Sequence, residues 1–425
     1  ALESYERSVV LNPNYIDAIA NLGIIWDLMN DFTKAERYFR QALLLGPGNI
    51  TILYNLANCL FNAKDYNEAI EVCNRIIALD ASFYYAYNRM GLCYIQLRDE
   101  EKAKEVHKGI IELGLSGLIV PEEYGGLELN MLFATVVSAA LGSGTAPVPF
   151  AGSYIMSPMA INLAGNAEQK NNWLPKIAGG EVQVGVGISE YVGAREDAGI
   201  EFTNGKINGR SLFVIDGKGA DAYILANKSG ELYLIDSNNS GIEVVELTTV
   251  DKTRTSIELI LNDVDAEFLE GSKDKAIIEK VLDAGRLMLA ADTVGAAQVM
   301  LDKSVAYSLE RKQFGRLIGS FQAVKHMCAE MAADLEPCHS MIWHAAHCQD
   351  NVPEEARLMA CQTKAHISEV GKQVSKTATE VHGGMGFTDE LGLHYWFKRI
   401  GLNRQLLGSP ELVREEAGKL QGFDQ

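Results

Sequence analysis

Nothing in this sequence pairs its cysteines or carries it through a bilayer. The seven cysteines (59, 73, 93, 328, 338, 348 and 361) are odd in number and none sits in a Cys-x-x-Cys pair. A complete internal disulfide framework is therefore excluded, and reduced thiols in a cytoplasmic protein are expected. No apolar run reaches the roughly 18 residues that a spanning helix needs, so no membrane span is expected. Positive charge is short too: 38 Lys and Arg stand against 56 Asp and Glu, a net charge of -18. Such a balance argues against nucleic acid or an anionic membrane as a general partner. No secretory leader is expected, because ALESYERSVVLNPN opens directly in an amphipathic helical pattern. With no initiator Met, the chain reads as a fragment or as one missing its true start. A metal-ligand set is incomplete as well. His339, His344, His347 and Cys348 crowd one helical stretch, yet no carboxylate completes the set, so core or surface histidines are expected and no metal is assigned.

What is present begins with a repeat. At 425 residues, with 47% hydrophobic and 22% charged residues, the chain has the composition of a globular protein of two to four domains. Pro13, Pro47, Ala81 and Leu115 recur every 34 residues. Gly23, Ala57 and Gly91 keep the same step, as do Ala35, Ala69 and Ala103, and Trp26, Leu60 and Tyr94. Small residues at that period let two antiparallel helices cross closely, and Pro starts the next pair. The pattern resembles a tetratricopeptide array over residues 1–112, which stacks into a solenoid whose concave face takes a protein or peptide partner.

The period then dies. A helix-rich stretch at 113–181 gives way at Val182 to short alternating runs (VQVGVGISE, RSLFVI, AYILAN, ELYLID, IEVVEL, SIELIL). Asn204-Gly205 and Asp216-Gly217 between such runs are hairpin signals, which predicts an antiparallel β domain over 182–271. Helical periodicity returns over 272–425, in segments long enough for a four-helix bundle.

One short stretch, EVHGGMGFTDE (Glu380 to Glu390), packs three glycines (383, 384 and 386) into four residues just after a helical segment. Glycine is costly to order, so such a cluster belongs where backbone turns sharply or approaches a ligand closely. With GLSGLIVPEEYGGLELN, the ISE turn, INGRSLFVIDGKGADAYILA and LERKQFGRLIGSFQAVKH, all in this order, the chain from about Leu113 resembles the acyl-CoA dehydrogenase family. The fold this implies is mainly α with a β domain: a tetratricopeptide α-solenoid, then a shortened helical domain, a middle β domain and a C-terminal bundle.

The resemblance implies FAD, an acyl-CoA substrate, an electron-transfer flavoprotein as electron acceptor, and a homo- or hetero-oligomer, because the family's cofactor site spans two subunits. The glycine turn, with Glu380, Gly383 and Gly384, would meet the adenosine diphosphate, as glycine backbone presents N–H groups to an anion. Arg311 would meet the pyrophosphate, with Gln313, Phe314 and Gln322 along the same cofactor. Ser189 would bond the flavin ring, Phe213 would cover it, and Ser409 would stand near its edge. Arg286 matches the family's acyl-CoA arginine.

The reaction needs a carboxylate to remove an α-proton as hydride leaves the β-carbon. The family places that Glu at either of two positions, occupied here by Leu407 and Gly285. Asp292, two helical turns beyond Gly285 on the same face, is the remaining candidate. A buried Asp paired with an Arg is the equal alternative. The readings left open are therefore an active FAD-dependent acyl-CoA dehydrogenase, or a catalytically incomplete subunit or tetratricopeptide scaffold. Glu390 is expected to cap the helix LGLHYWFKR.

Overall fold

The computed structural model describes residues 2–80, 83, 86, 89–90, 93, 109, 111–193, 198–388 and 391–423. The chain divides into two compact units: residues 1–113, 302–328 and 380–392, and residues 114–301, 329–379 and 393–425.

The 34-residue period organises the first unit. Helices α1 (Leu2–Leu11), α2 (Ile16–Leu28), α3 (Phe32–Leu45), α4 (Ile50–Asn62) and α5 (Tyr66–Leu79) follow one another through short turns. Asp31, Asn49 and Asp65 cap three of them by accepting the N–H of Lys34, Ile52 and Glu68. Equivalent left-handed turn residues, Asn30 and Lys64, are also 34 apart. Gly23 shows why the period carries small residues: a Cβ there would lie 2.7 Å from the Phe39 ring. Ala35, Ala57 and Ala69 are fully buried at the matching crossings, beside Phe39, Leu53 and Ile76. Each large apolar side chain buried here contributes roughly 1.5–3 kcal/mol. The repeat positions Ala81, Gly91, Tyr94 and Ala103 lie outside the described residues.

The second unit opens with α6 (Met131–Ser143), a π-helical segment (Phe150–Met156), α7 (Ser157–Ala164) and α8 (Ala167–Ala178). A capping box between Asn166 and Gln169 starts α8. Eight strands follow: β1 (Val184–Gly187), β2 (Gly199–Thr203), β3 (Lys206–Ile215), β4 (Ala222–Ala226), β5 (Leu232–Asp236), β6 (Ile242–Leu247), β7 (Ser256–Asp265) and β8 (Glu267–Phe268). Their order is β6-β7-β3-β1-β4-β5-β8, with β2 on β3. Asn204-Gly205 closes the β2–β3 hairpin with both residues left-handed, as the dipeptide predicts.

Two expectations for this domain need correction. The sheet is mixed, because β1 pairs β4 in parallel. Asp216-Gly217 closes no hairpin, since β1 lies between β3 and β4. The Asp216 carboxylate instead accepts the N–H groups of Gly152 and Ser153 at 2.7 and 3.3 Å, tying the strand end to the π-helical segment.

The bundle is built from α9 (Lys275–Ser308), α10 (Gln322–Asn351), α11 (Pro353–His382), α12 (Leu393–Gln405) and α13 (Pro410–Leu420). It thus has three long helices and two short ones. Within the second unit, one apolar core joins Met156 and Ile161 to the sheet through Val186 and Ile224. The same core reaches α9 through Leu282 and Leu289, and the end of α12 through Leu406 and Leu407. Glu390 lies outside the described residues.

Candidate active site

Gly285 and Leu407, the two positions expected from the resemblance to match the family's base, meet in space. A Cβ on Gly285 would lie 2.6 Å from Leu407 Cδ1 and 2.5 Å from Met156 Sδ. Leu407 is buried, in a left-handed turn with φ 60, and Met156 is fully buried. Two sequence positions 122 apart thus share one point, and the two side chains there, Leu407 and Met156, offer no carboxylate.

Asp292 does not fill the gap. Its Oδ1 accepts from Arg399 Nε at 3.0 Å and Asn403 Nδ2 at 2.6 Å. Its Oδ2 accepts from Arg399 Nη2 at 3.0 Å and Arg254 Nη2 at 3.1 Å. Burial alone would raise the carboxyl's pKa, but the Arg399 and Arg254 guanidiniums and Asn403 hold it below the usual carboxylate range. A carboxylate kept ionised by four donors is a poor base. Asp292 is thus a buried aspartate paired with arginine, the arrangement of the alternative reading. Arg399 extends the network to Thr253 Oγ1 and the Ala146 carbonyl at 2.9 and 3.0 Å.

Arg286 is likewise committed. It is fully buried, donating through Nε to the Leu407 carbonyl at 2.9 Å and through Nη1 and Nη2 to Glu416 at 2.6 and 2.8 Å. Arg357 joins the same cluster, bonding Glu416 at 3.1 Å and Asp283 at 2.6 Å. The guanidinium expected to hold acyl-CoA therefore braces the Leu407 turn against α13.

Ser189 is buried at the end of β1. Its neighbour Glu190 accepts the Leu212 N–H at 2.6 Å and the Ser211 hydroxyl at 3.3 Å. Those contacts sit at the irregularity between Ser211 and Val214 where β3 pairs β7, and there Phe213 takes φ 52. Glu190 thus fixes the bulge that aims Phe213, which packs half-buried against the core. Ser409 caps α13, accepting the Leu412 N–H at 3.5 Å.

The remaining predicted residues belong to the first unit and face solvent. A two-stranded ribbon, β9 (Lys312–Gln313) and β10 (Arg316–Leu317), turns at Phe314 and Gly315, both left-handed. Phe314 is 92% exposed. Arg311, Gln313, Gln322 and Glu380 are exposed as well. The glycine turn, Gly383–Phe387, is a 3-10 segment after α11. Gly383 has φ +58, and a Cβ on Gly383 or Gly384 would meet nothing within 4 Å. Nearby, Tyr307 stacks on His382 at 4.6 Å. On the array, burial pushes up the Asp27 carboxyl of α2, while Lys303 and Arg89 of the same unit act as opposing cations.

Sequence reasoning passed over Glu190, Arg254, Arg357, Arg399, Asn403 and Glu416. Their partners are remote in the chain, and no local spacing marks them. Only Glu190, inside the quoted ISE turn, left a signal.

Comparison with known proteins adds three family matches. The acyl-CoA dehydrogenase C-terminal domain matches residues 275–419 and the acyl-CoA dehydrogenase N-terminal domain residues 93–181. A tetratricopeptide repeat matches 28–87. The N-terminal match starts ahead of the boundary at 113 drawn from the end of the repeat period. The chain is similar to the probable acyl-CoA dehydrogenase YngJ of Bacillus subtilis (strain 168), with 29% identity over 334 residues, 73% of this chain and 87% of that protein. It is similar also to the caffeyl-CoA reductase-Etf complex subunit CarC of Acetobacterium woodii, with 26% identity over 319 residues, 68% and 82% of the two chains. In fold it resembles butyryl-CoA dehydrogenase from Megasphaera elsdenii, with TM-score 0.71 and 22% identity over 80% of this chain and 98% of that one.

Proposed function

Because the chain belongs to the acyl-CoA dehydrogenase family, joined to an N-terminal tetratricopeptide array, we propose that it binds FAD and acts on the α,β-bond of an acyl-CoA thioester. The observation that carries this reading is the open glycine turn with Arg311 exposed in the same unit. Backbone N–H groups without a Cβ in the way, together with a forked cation, fit the diphosphate end of a dinucleotide.

In this reading Gly383, Gly384 and Arg311 hold the phosphates, with Gln313, Phe314, Gln322 and Glu380 alongside. Ser189, Phe213 and Ser409 would serve the ring end of the cofactor whose phosphates are held by a neighbouring subunit. The chemistry a flavin supplies here is acceptance of hydride from the acyl β-carbon. An electron-transfer flavoprotein is the proposed acceptor, in line with the Etf-complex relative. The exposed ribbon carrying Phe314 suits burial against a second subunit, and the array takes a protein partner in the cytoplasm.

A second reading is favoured by one observation: Gly285, Leu407 and Met156 close the base position with apolar contacts. A chain of that kind would serve as a catalytically incomplete subunit that completes a partner's flavin site, or as a scaffold through its array. An absorbance spectrum of the purified chain, recorded before and after anaerobic addition of acyl-CoAs, separates these. Flavin bands that bleach with substrate support the dehydrogenase. Bound flavin that never bleaches supports the incomplete subunit. A colourless protein that FAD cannot reconstitute overturns the cofactor reading.

A further inference from the structure

We propose that His344, Cys348 and Glu355 form a binding site for a divalent, borderline-soft cation, zinc by its ligand chemistry, that staples the corner between α10 and α11. His344 and Cys348 are one helical turn apart on α10, so both point the same way. Glu355 belongs to the first turn of α11, beyond the corner at Asn351, Val352 and Pro353. It is the carboxylate that no spacing on α10 itself provides. One ligand atom from each residue lies within 4.8 Å of the other two, and Cys348 Sγ is 3.9 Å from His344 Nε2. Bond lengths of about 2.0–2.3 Å set such atoms roughly 3.3–3.7 Å apart around tetrahedral zinc. Small side-chain rotations bring them there.

The corner is held independently of any ion. The Val352 N–H donates to the Cys348 carbonyl at 3.0 Å, and that of Glu355 to the Val352 carbonyl at 3.0 Å. Gln349 Nε2 donates to the Ala356 carbonyl at 3.2 Å. The ligands are therefore positioned before binding rather than by it. Competing groups are engaged elsewhere: His347 Nδ1 pairs with Asn351 Nδ2 at 3.2 Å, and Asp350 accepts the Met131 N–H at 3.0 Å. Cys348 is buried while His344 and Glu355 are exposed. An ion would enter from solvent, take a thiolate from the interior and keep a fourth position for water. Thiolate, imidazole and carboxylate together favour zinc over magnesium or calcium, which prefer all-oxygen sets. Burial and the Glu355 and Glu354 carboxylates push the free thiol up, and a bound cation would displace its proton.

The test uses the full chain, stripped with chelator and titrated with Co²⁺ and then Zn²⁺. One equivalent per chain is expected, with a thiolate-to-cobalt charge-transfer band that zinc abolishes and a melting temperature that zinc raises. Cys348→Ser should remove the band, and Glu355→Gln, an exposed change that leaves the fold intact, should weaken zinc affinity at least about tenfold. Binding without a charge-transfer band, or affinity unchanged in Glu355→Gln, would overturn the assignment.

Discussion

The proposed reacting point and the proposed anion-facing surface have opposite characters. At the reacting point, Gly285, Leu407 and Met156 touch one another in a sealed apolar contact. In the other unit, Arg311, Gly383 and Gly384 stand exposed, and a Cβ on either glycine would meet nothing within 4 Å among the described residues. The physical demands differ. Holding a phosphate needs only open N–H groups and a cation, which surface segments supply. Removing a weakly acidic α-proton needs a desolvated carboxylate at one point, and two single-residue choices decide whether it is there. In the proposed reading, binding and chemistry are thus separable in this chain.

The sharpest way to break the contrast is to restore the base. Leu407→Glu puts a carboxyl against Met156 and Gly285, where burial would push its pKa up toward the working range of a general base. The expected gain is about 10²–10⁴-fold in anaerobic flavin reduction by acyl-CoA, the usual contribution of such a base. A rate no higher than that of the unaltered chain would mean that more than the base is missing.

Asp292 provides the control. Asp292→Asn removes the carboxylate that Arg254 and Arg399 share in the interior and, among the described residues, leaves only the longer Arg399–Asp251 pair at 3.7 Å. Removing one partner of a buried ion network costs about 3–5 kcal/mol, measurable by urea unfolding. Flavin reduction per folded molecule should be unchanged. If it falls by orders of magnitude while stability holds, Asp292 is the base after all.

At the exposed end, Arg311→Ala should weaken FAD by about tenfold to a hundredfold, since a hydrogen bond to a charged group contributes about 1.5–3 kcal/mol. Fold stability should move little, because the side chain is exposed. Cofactor content by absorbance at fixed FAD reads the effect, and an unchanged affinity would detach Arg311 from the phosphates.

How much of this was legible in advance varies with the range of the interaction. The 34-residue period marked the helix crossings, because Gly23 and Ala57 answer to neighbours one repeat away. Asn204-Gly205 named its turn for the same local reason. Asp216-Gly217 misled, since a dipeptide carries no information about β1 lying between the strands it separates. The pairing of Leu407 with Gly285 could be anticipated only through a family likeness. Asp292 and Arg286 were visible as residues, but their meaning depends on Arg399 and Glu416, which lie 107 and 130 positions away. A buried charge is legible in a sequence; its partner is not.

The Arg286 cluster offers the smallest effect and the one that tests the brace behind the sealed contact. Burial would raise the pKa of Glu416, but its bonds to Arg286 and the nearby Arg357 hold the carboxyl below the usual range. A depressed folded-state pKa means that its stabilisation is fully present above the unfolded value of about 4.3 and is lost as pH falls through the folded one. Glu416→Gln should therefore be less stable than the parent at pH 7, and the gap should close as pH drops below about 4. Urea unfolding of both proteins across that window reads the difference. A gap that stays constant with pH would assign the loss to packing at α13 rather than to the charge that holds Arg286 against the Leu407 carbonyl.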